Sequence, residues 1–258
     1  MASRFDDEIV VEGFWAVEAI VSARPESIRE IVFEQSRHQE LAALAQEIGI
    51  SVRILDRTAL REETGYSFHR GVYAIAERPR PQNPGEFFLK GAHRLVALAP
   101  LADPGNLGTV IRSAAALGAE GIMVPRDRGA DAYSRKSIRA SATALFRTPV
   151  FEVSSIEQQL MTLRADGWTV IAASTGEGAV PLAMARPGAR TVLLFGSEED
   201  GISPSLLEQS DETVEIPMAA GMDSLNVAAT AAICCHHFFS DSAPRLAQES
   251  QEVAVEEG

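Results

Sequence analysis

A chain of 258 residues with 46% hydrophobic content can bury one large core or two smaller ones, so disorder of the whole is excluded. No apolar run approaches the roughly 18–20 residues of a membrane span, and the start MASRFDDEIV has neither the basic nor the apolar region of a secretion signal, so a soluble, cytoplasmic protein is expected. The net charge of −13 argues at first sight against a nucleic-acid partner, since Lys and Arg drive phosphate binding.

Residues 1–12 are polar and acidic and read as a flexible arm. From Gly13 the periodicity becomes regular. FWAVEAIVSA predicts a helix, IREIVFE a strand, HQELAALAQEIG a helix closed by Gly49, and SVRILD and GVYAIAE two further strands. RPRPQNPGE then places Pro79, Pro81, Pro84 and Gly85 close together, which neither a helix nor a central strand tolerates. A domain boundary is expected there.

Past it, HRLVALA, GIMVP, TPVFEV, WTVIAAS, RTVLLFG and TVEIP are short apolar runs separated mostly by helical patterns. Buried strands alternating with helices predict an α/β domain with a mostly parallel sheet covered on both faces. Ligands of such sheets collect at the carboxyl ends of the strands, so the loops after LVALA, TVIAAS, VLLFG and VEIP deserve inspection. Residues 126–147 carry six basic residues against Asp127 and Asp131, whereas residues 241–258 carry five acidic residues against Arg245. The local field decides binding, so RNA remains compatible, the alternative being a solvated basic helix face. The acidic tail is expected to be disordered. Cys234 and Cys235 sit in an apolar stretch and read as core thiols.

Three loops hold the chemistry. In LADPGNLGTVIRSAAALG, residues 101–118, Asn106 is expected to cap a helix whose stripe is Leu107, Val110, Ile111, Ala114 and Leu117. Asn106, Thr109, Arg112 and Ser113 lie off that stripe, beside free N–H groups suited to an anion or a ribose; the alternative is one solvated arginine. GSEEDGIS, residues 196–203, gives Gly196 a close backbone approach to a ligand and Glu198 a hydrogen-bonding role, or else forms a polar turn into a Ser203 cap with Pro204 next. In MAAGMDSLN, residues 218–226, Ser224 is expected to cap the last helix and Asn226 to sit in its first turn with a free amide. His236 and His237 read as surface or helix-end partners, and no metal site is expected. GxSxG, GxxxxGK[ST], HExxH and GxGxxG are all absent. No nucleophile has an adjacent base, so covalent catalysis is disfavoured.

Taken in order, DPGNLGTVIRSAAALGA, LLFGSEEDGIS and IPMAAGMDSLNVAA resemble the three motifs of the SpoU/TrmH family of S-adenosylmethionine-dependent RNA ribose 2'-O-methyltransferases. The first part of the chain, with His69 and Gly71 in FHRGVYAIA, is similar to the L30e-like RNA-binding domain of the ribosomal members. The resemblance implies an L30e-like domain at 1–78, a linker at 79–91, a methyltransferase domain at 92–240 with a deep trefoil knot, and a tail at 241–258. It implies that Gly196, Ile216 and Leu225 contact S-adenosylmethionine, while Asn106, Arg112, Glu198, Ser224 and Asn226 form the catalytic and ribose-binding set. A homodimer is also implied, with the site near its interface. Ala220 departs from the family, which often has glycine there; Gly221 can absorb the change.

The expected reaction is methyl transfer to a ribose 2'-hydroxyl, in large-subunit (23S) ribosomal RNA. Alternatives are a transfer-RNA substrate or a non-catalytic RNA-binding or ribosome-assembly protein of the same fold. The family's proposed arginine base conflicts with a guanidinium that stays protonated. Arg112 is therefore expected to bind phosphate and stabilise a developing alkoxide, with Glu198 ordering the loops.

Overall fold

The computed structural model describes residues 7–35, 37–64, 71–82, 84–85, 91–176, 178–197, 199–222 and 224–239. Residues 1–6, His69, Glu198 and the tail lie outside these. The expected arm is in part a strand, β1 (Glu8–Glu12), because Ile9 and Val11 alternate inward beneath the acidic residues. Its partner β4 (Val72–Glu77) runs antiparallel, from Glu8 opposite Glu77 to Glu12 opposite Tyr73. With β2 (Ile28–Glu34) and β3 (Val52–Leu55) they form a four-stranded sheet in the order β1-β4-β2-β3.

Around it lie α1 (Phe14–Ala23), α2 (Gln39–Glu47) and α3 (Arg57–Thr64). The last is unforeseen in the sequence. It forms because the Asp56 carboxylate accepts from the backbone N–H groups of Thr58 and Ala59, both at 2.8 Å, and because Leu60 is buried beneath it.

The six apolar runs beyond the prolines become strands of one parallel sheet: β5 (Arg94–Leu98), β6 (Gly121–Pro125), β7 (Val150–Val153), β8 (Thr169–Ala173), β10 (Thr191–Phe195) and β11 (Glu212–Glu215). A short unforeseen edge, β9 (Val180–Pro181), completes the order β7-β6-β5-β10-β8-β11-β9. Alternate residues feed two cores. Val96, Leu98, Leu193 and Phe195 pack with Leu107, Ile111, Cys235 and Phe239, whereas Leu95, Ala97 and Leu194 pack with Leu160, Leu163 and Trp168. Apart from Trp168, which lies just before β8, those partners come from α4 (Pro104–Ala116), α7 (Ile156–Ala165) and α9 (Val227–Phe239); α5 (Arg135–Ser141), α6 (Ala144–Arg147) and α8 (Pro204–Leu207) are shorter. Burial pushes the Cys234 thiol up to about 12, in keeping with an unreactive core thiol. Among the described residues no helix is long and apolar enough to cross a membrane.

Helices α4 and α5 pack at backbone contact. A methyl group at Gly108 would lie 2.4 Å from the Ser137 carbonyl oxygen and 2.7 Å from Ala140 Cβ. Gly108→Ala should therefore destabilise the fold by about 1–3 kcal/mol in denaturant titrations, despite alanine's better helix propensity.

The two sheets are joined by contact as well as by chain. The apolar cluster around Ile9, Val11 and Val17 is continuous with that around Tyr133 and Ile138. Arg78, just after β4, donates to both oxygens of Asp131 at 3.0 and 2.8 Å and to Glu152 at 2.7 Å. Its guanidinium lies 4.9 Å from the centre of the Tyr133 ring. Burial pulls the Arg78 pKa down, but the hydrogen bonds and charges of Asp131 and Glu152 outweigh it and leave the pKa raised. Glu12 of β1 similarly pairs with Arg135 of α5.

Candidate functional site

The turn before α4 differs from expectation at its cap. Asp103, not Asn106, stands before the helix, with Pro104 in the first helical position and the Asp103 carboxylate accepting from Asn106 N–H at 2.8 Å. A carboxylate followed by proline outcompetes an amide three residues on, because proline's fixed φ starts the helix early. Lys136 also bonds Asp103, and these contacts, led by that of Lys136, hold its carboxyl below the ordinary range. The Asn106 side chain is thereby released from capping.

It meets the last helix instead. Asn226 Nδ2 donates to Asn106 Oδ1 at 3.2 Å, while Asn226 Oδ1 accepts from Ala228 N–H at 2.9 Å. Asn226 is thus the residue that caps α9, and Ser224 is an exposed loop residue two positions earlier, a reversal of the expected roles. An amide serves where a carboxylate would not: one end must accept from the helix and the other must donate to the first loop. The tie spans 120 residues of sequence.

Between them, the second loop folds on itself. Ser197 and Gly201 exchange two backbone hydrogen bonds of 3.0 and 3.1 Å, and Asp200 N–H donates to Ser197 Oγ at 3.0 Å. A Cβ on Gly196 would lie 2.4 Å from the Gly201 carbonyl carbon and 2.7 Å from Ile202 N. Glycine at 196 is required by this fold-back, and not only by a ligand as the sequence suggested. Ser203 caps α8 by accepting from Leu206 N–H, with Pro204 next, as expected.

The loops after β8, β10 and β11 enclose a cavity of about 330 Å³ at the carboxyl ends of those strands, to which the described residues of the first loop, Asn106 included, contribute no lining. Gly196, Ile216, Ser224, Leu225 and Asn226 all line it. Ser174 and Thr175 line it too. Their signal in the sequence was only their place after a buried parallel strand. The walls mix apolar side chains with hydroxyls and strand-end backbone, and the volume falls within the range of small-molecule sites, about 300–1,000 Å³.

Arg112 lines a different cleft. It lies six residues past Asn106, roughly 9 Å along α4, and faces another way. His237 Nε2 lies 3.1 Å from the Ala185 carbonyl oxygen, a contact that braces α9. Among the described residues no group of three His, Cys, Asp or Glu side chains is placed to hold a metal.

A parallel sheet that gathers three loops round one mixed cavity defines an α/β protein with a small-molecule site at its carboxyl edge. The chain belongs to the SpoU rRNA Methylase family, whose model matches residues 93–236. Residues 10–82 match a second model, that of RNA 2'-O ribose methyltransferase substrate binding. The 23S rRNA (guanosine-2'-O-)-methyltransferase RlmB of Acinetobacter baylyi is 30% identical, over 87% of this chain and 94% of that protein. The SpoU methyltransferase AviRb of Streptomyces viridochromogenes, solved with AdoMet, is 26% identical with a TM-score of 0.77 over 90% of this chain and 89% of that one. An AdoMet-bound rRNA methyltransferase from Sinorhizobium meliloti is 27% identical with a TM-score of 0.75, over 90% of this chain and 86% of that one.

Proposed function

We propose that this chain transfers a methyl group from S-adenosylmethionine to a ribose 2'-hydroxyl of 23S ribosomal RNA. One observation carries the reading: the Asn226–Asn106 bond ties the wall of the small-molecule cavity to the polar start of α4. The mixed lining fits a molecule with an adenine, a ribose and a charged amino-acid end. Gly196, Ile216 and Leu225 would hold it, the first largely by backbone. When bound, S-adenosylmethionine supplies a methyl group made electrophilic by a sulfonium.

The chain's own task is then to hold the 2'-oxygen in line, in near-attack geometry. Asn106, Ser224 and Asn226 offer hydrogen bonds to the ribose. With a planar cationic fork of donors, Arg112 binds the neighbouring phosphate and stabilises charge developing on the oxygen, while the proton leaves late or through water. Glu198 orders the second and third loops. Since Arg112 opens onto another cleft of its own chain, it completes the site of a second copy in a homodimer.

The path of the chain supports a trefoil knot: β11 lies beyond β8, yet α9 returns to pack on α4 beside β5 and β10. The substrate-binding match at 10–82 supports an L30e-like domain ahead of a methyltransferase domain, and favours ribosomal over transfer RNA.

Ribose-methylation mapping of total RNA from cells with and without the protein tests the reaction: loss of one 23S position is expected, and an unchanged map would refute it. Arg112→Ala should lower the single-turnover rate by about 10²–10³, and Arg112→Lys should restore much of it. A rate profile that titrates with a low arginine pKa would instead make Arg112 the base.

A further inference from the structure

Arg29, Arg53, Arg78, Arg94, Arg135 and Arg164 each sit within 4 Å of a carboxylate, as expected where acids outnumber bases. Arg112, Arg139 and Arg147 do not: among the described residues none of the three guanidinium groups has a hydrogen bond or an ion pair, and all line one cleft of about 680 Å³. Glu12, the carboxylate among the lining residues, is engaged by Arg135. The cleft is therefore a concentrated positive field on an acidic protein.

Its other wall comes from α1 of the first domain. Trp15 lines the cleft with 60% of its surface exposed, whereas Trp168, the chain's other tryptophan, is 3% exposed. The Phe14 ring stands edge-on to the Trp15 indole, with centroids 5.0 Å apart. Ala142, also on the wall, holds φ 53° and ψ −114°, which a residue with a Cβ rarely adopts; such backbone clusters at functional sites.

We propose that this cleft carries RNA contact beyond the reacting nucleotide that Arg112 meets: Trp15 stacks on a base, and Arg139 and Arg147 pair with phosphates of the same single-stranded stretch. A free phosphate has no use for an indole; a strand presents bases and phosphates together. With one wall from each domain, the cleft grips RNA only when the two are docked. Substrate choice thus depends on the junction as well as on the first domain. The inference rests on the RNA reading above.

The test uses the full chain and a short fluorescein-labelled single-stranded RNA of mixed sequence. Intrinsic fluorescence should be quenched by the unlabelled form of the same RNA, because Trp168 is buried and Trp15 is not. Trp15→Ala should abolish the quench and weaken binding roughly 5- to 150-fold, with Trp15→Phe regaining much of the affinity. Arg139→Gln with Arg147→Gln should reduce the slope of log affinity against log salt by about 1.4. S-adenosylmethionine binding, measured by calorimetry, should be unchanged in all three variants and reports their folding. If the wild type methylates RNA while these variants bind the probe as tightly and with the same salt slope, the cleft proposal alone is overturned. If affinity falls only with the arginines and Trp15→Ala is silent, the cleft is a plain anion patch and the proposal is equally lost. A wild type that binds the cofactor but neither methylates nor binds RNA ends both readings.

Discussion

Gly196→Ala should abolish S-adenosylmethionine binding, with a loss of about 100-fold or more by calorimetry, because the added methyl group collides with backbone and not with a mobile side chain. The collision is with Gly201 and Ile202, at 2.4–2.7 Å, so the Ser197–Gly201 fold-back must open. That opening would displace Gly196 itself and Ile202 from the cavity wall. Gly201→Ala is the control. Gly201 has φ 64°, yet a Cβ there meets nothing within 4 Å, so its cost is the left-handed conformation alone, about 1–2 kcal/mol. Equal losses in the two variants would mean that backbone strain, not the fold-back contact, governs the loop.

Arg78→Ala should lower stability by about 3–5 kcal/mol, because it strands the carboxylates of Asp131 and Glu152 without their cation. The Glu152 side chain is only 6% exposed, so water cannot take over. For a chain of this size each kcal/mol moves the melting midpoint by roughly 2–4 °C, so a drop of about 10 °C is expected in calorimetry. Arg78→Lys should recover only part of this, since an ammonium cannot engage Asp131 through two parallel bonds. A loss under 1 kcal/mol for Arg78→Ala would show that the apolar contact alone holds the two sheets together.

The second sheet was legible because its strands are buried on both faces and read as uninterrupted apolar runs. Its carboxyl edge followed from the parallel topology, and with it three of the loops that matter. β1 was not legible: two inward residues among carboxylates look like a polar arm until a partner strand exists. Nor was α3, which depends on one cap and one buried leucine. Side-chain roles inside the loops were the least legible. Asp103 and Asn106, or Ser224 and Asn226, are equally good caps by residue type, and only the three-dimensional position of the helix start chooses between them. That Arg112 opens onto a cleft that Asn106 does not line depends on what packs against each side of α4, which helical spacing alone does not reveal.

The bond between Asn106 and Asn226 joins positions so far apart that most of the second domain lies inside the loop it closes. Closing a loop of that length carries an entropic cost that must be met before the contact stabilises anything, so the contact belongs among the late events of folding. During synthesis α4 emerges with its partner Asn226 still more than a hundred residues away. A nascent chain therefore carries the whole of its first sheet well before Asn226 can close on Asn106. The far wall of the cavity waits on the residues that lead into α9.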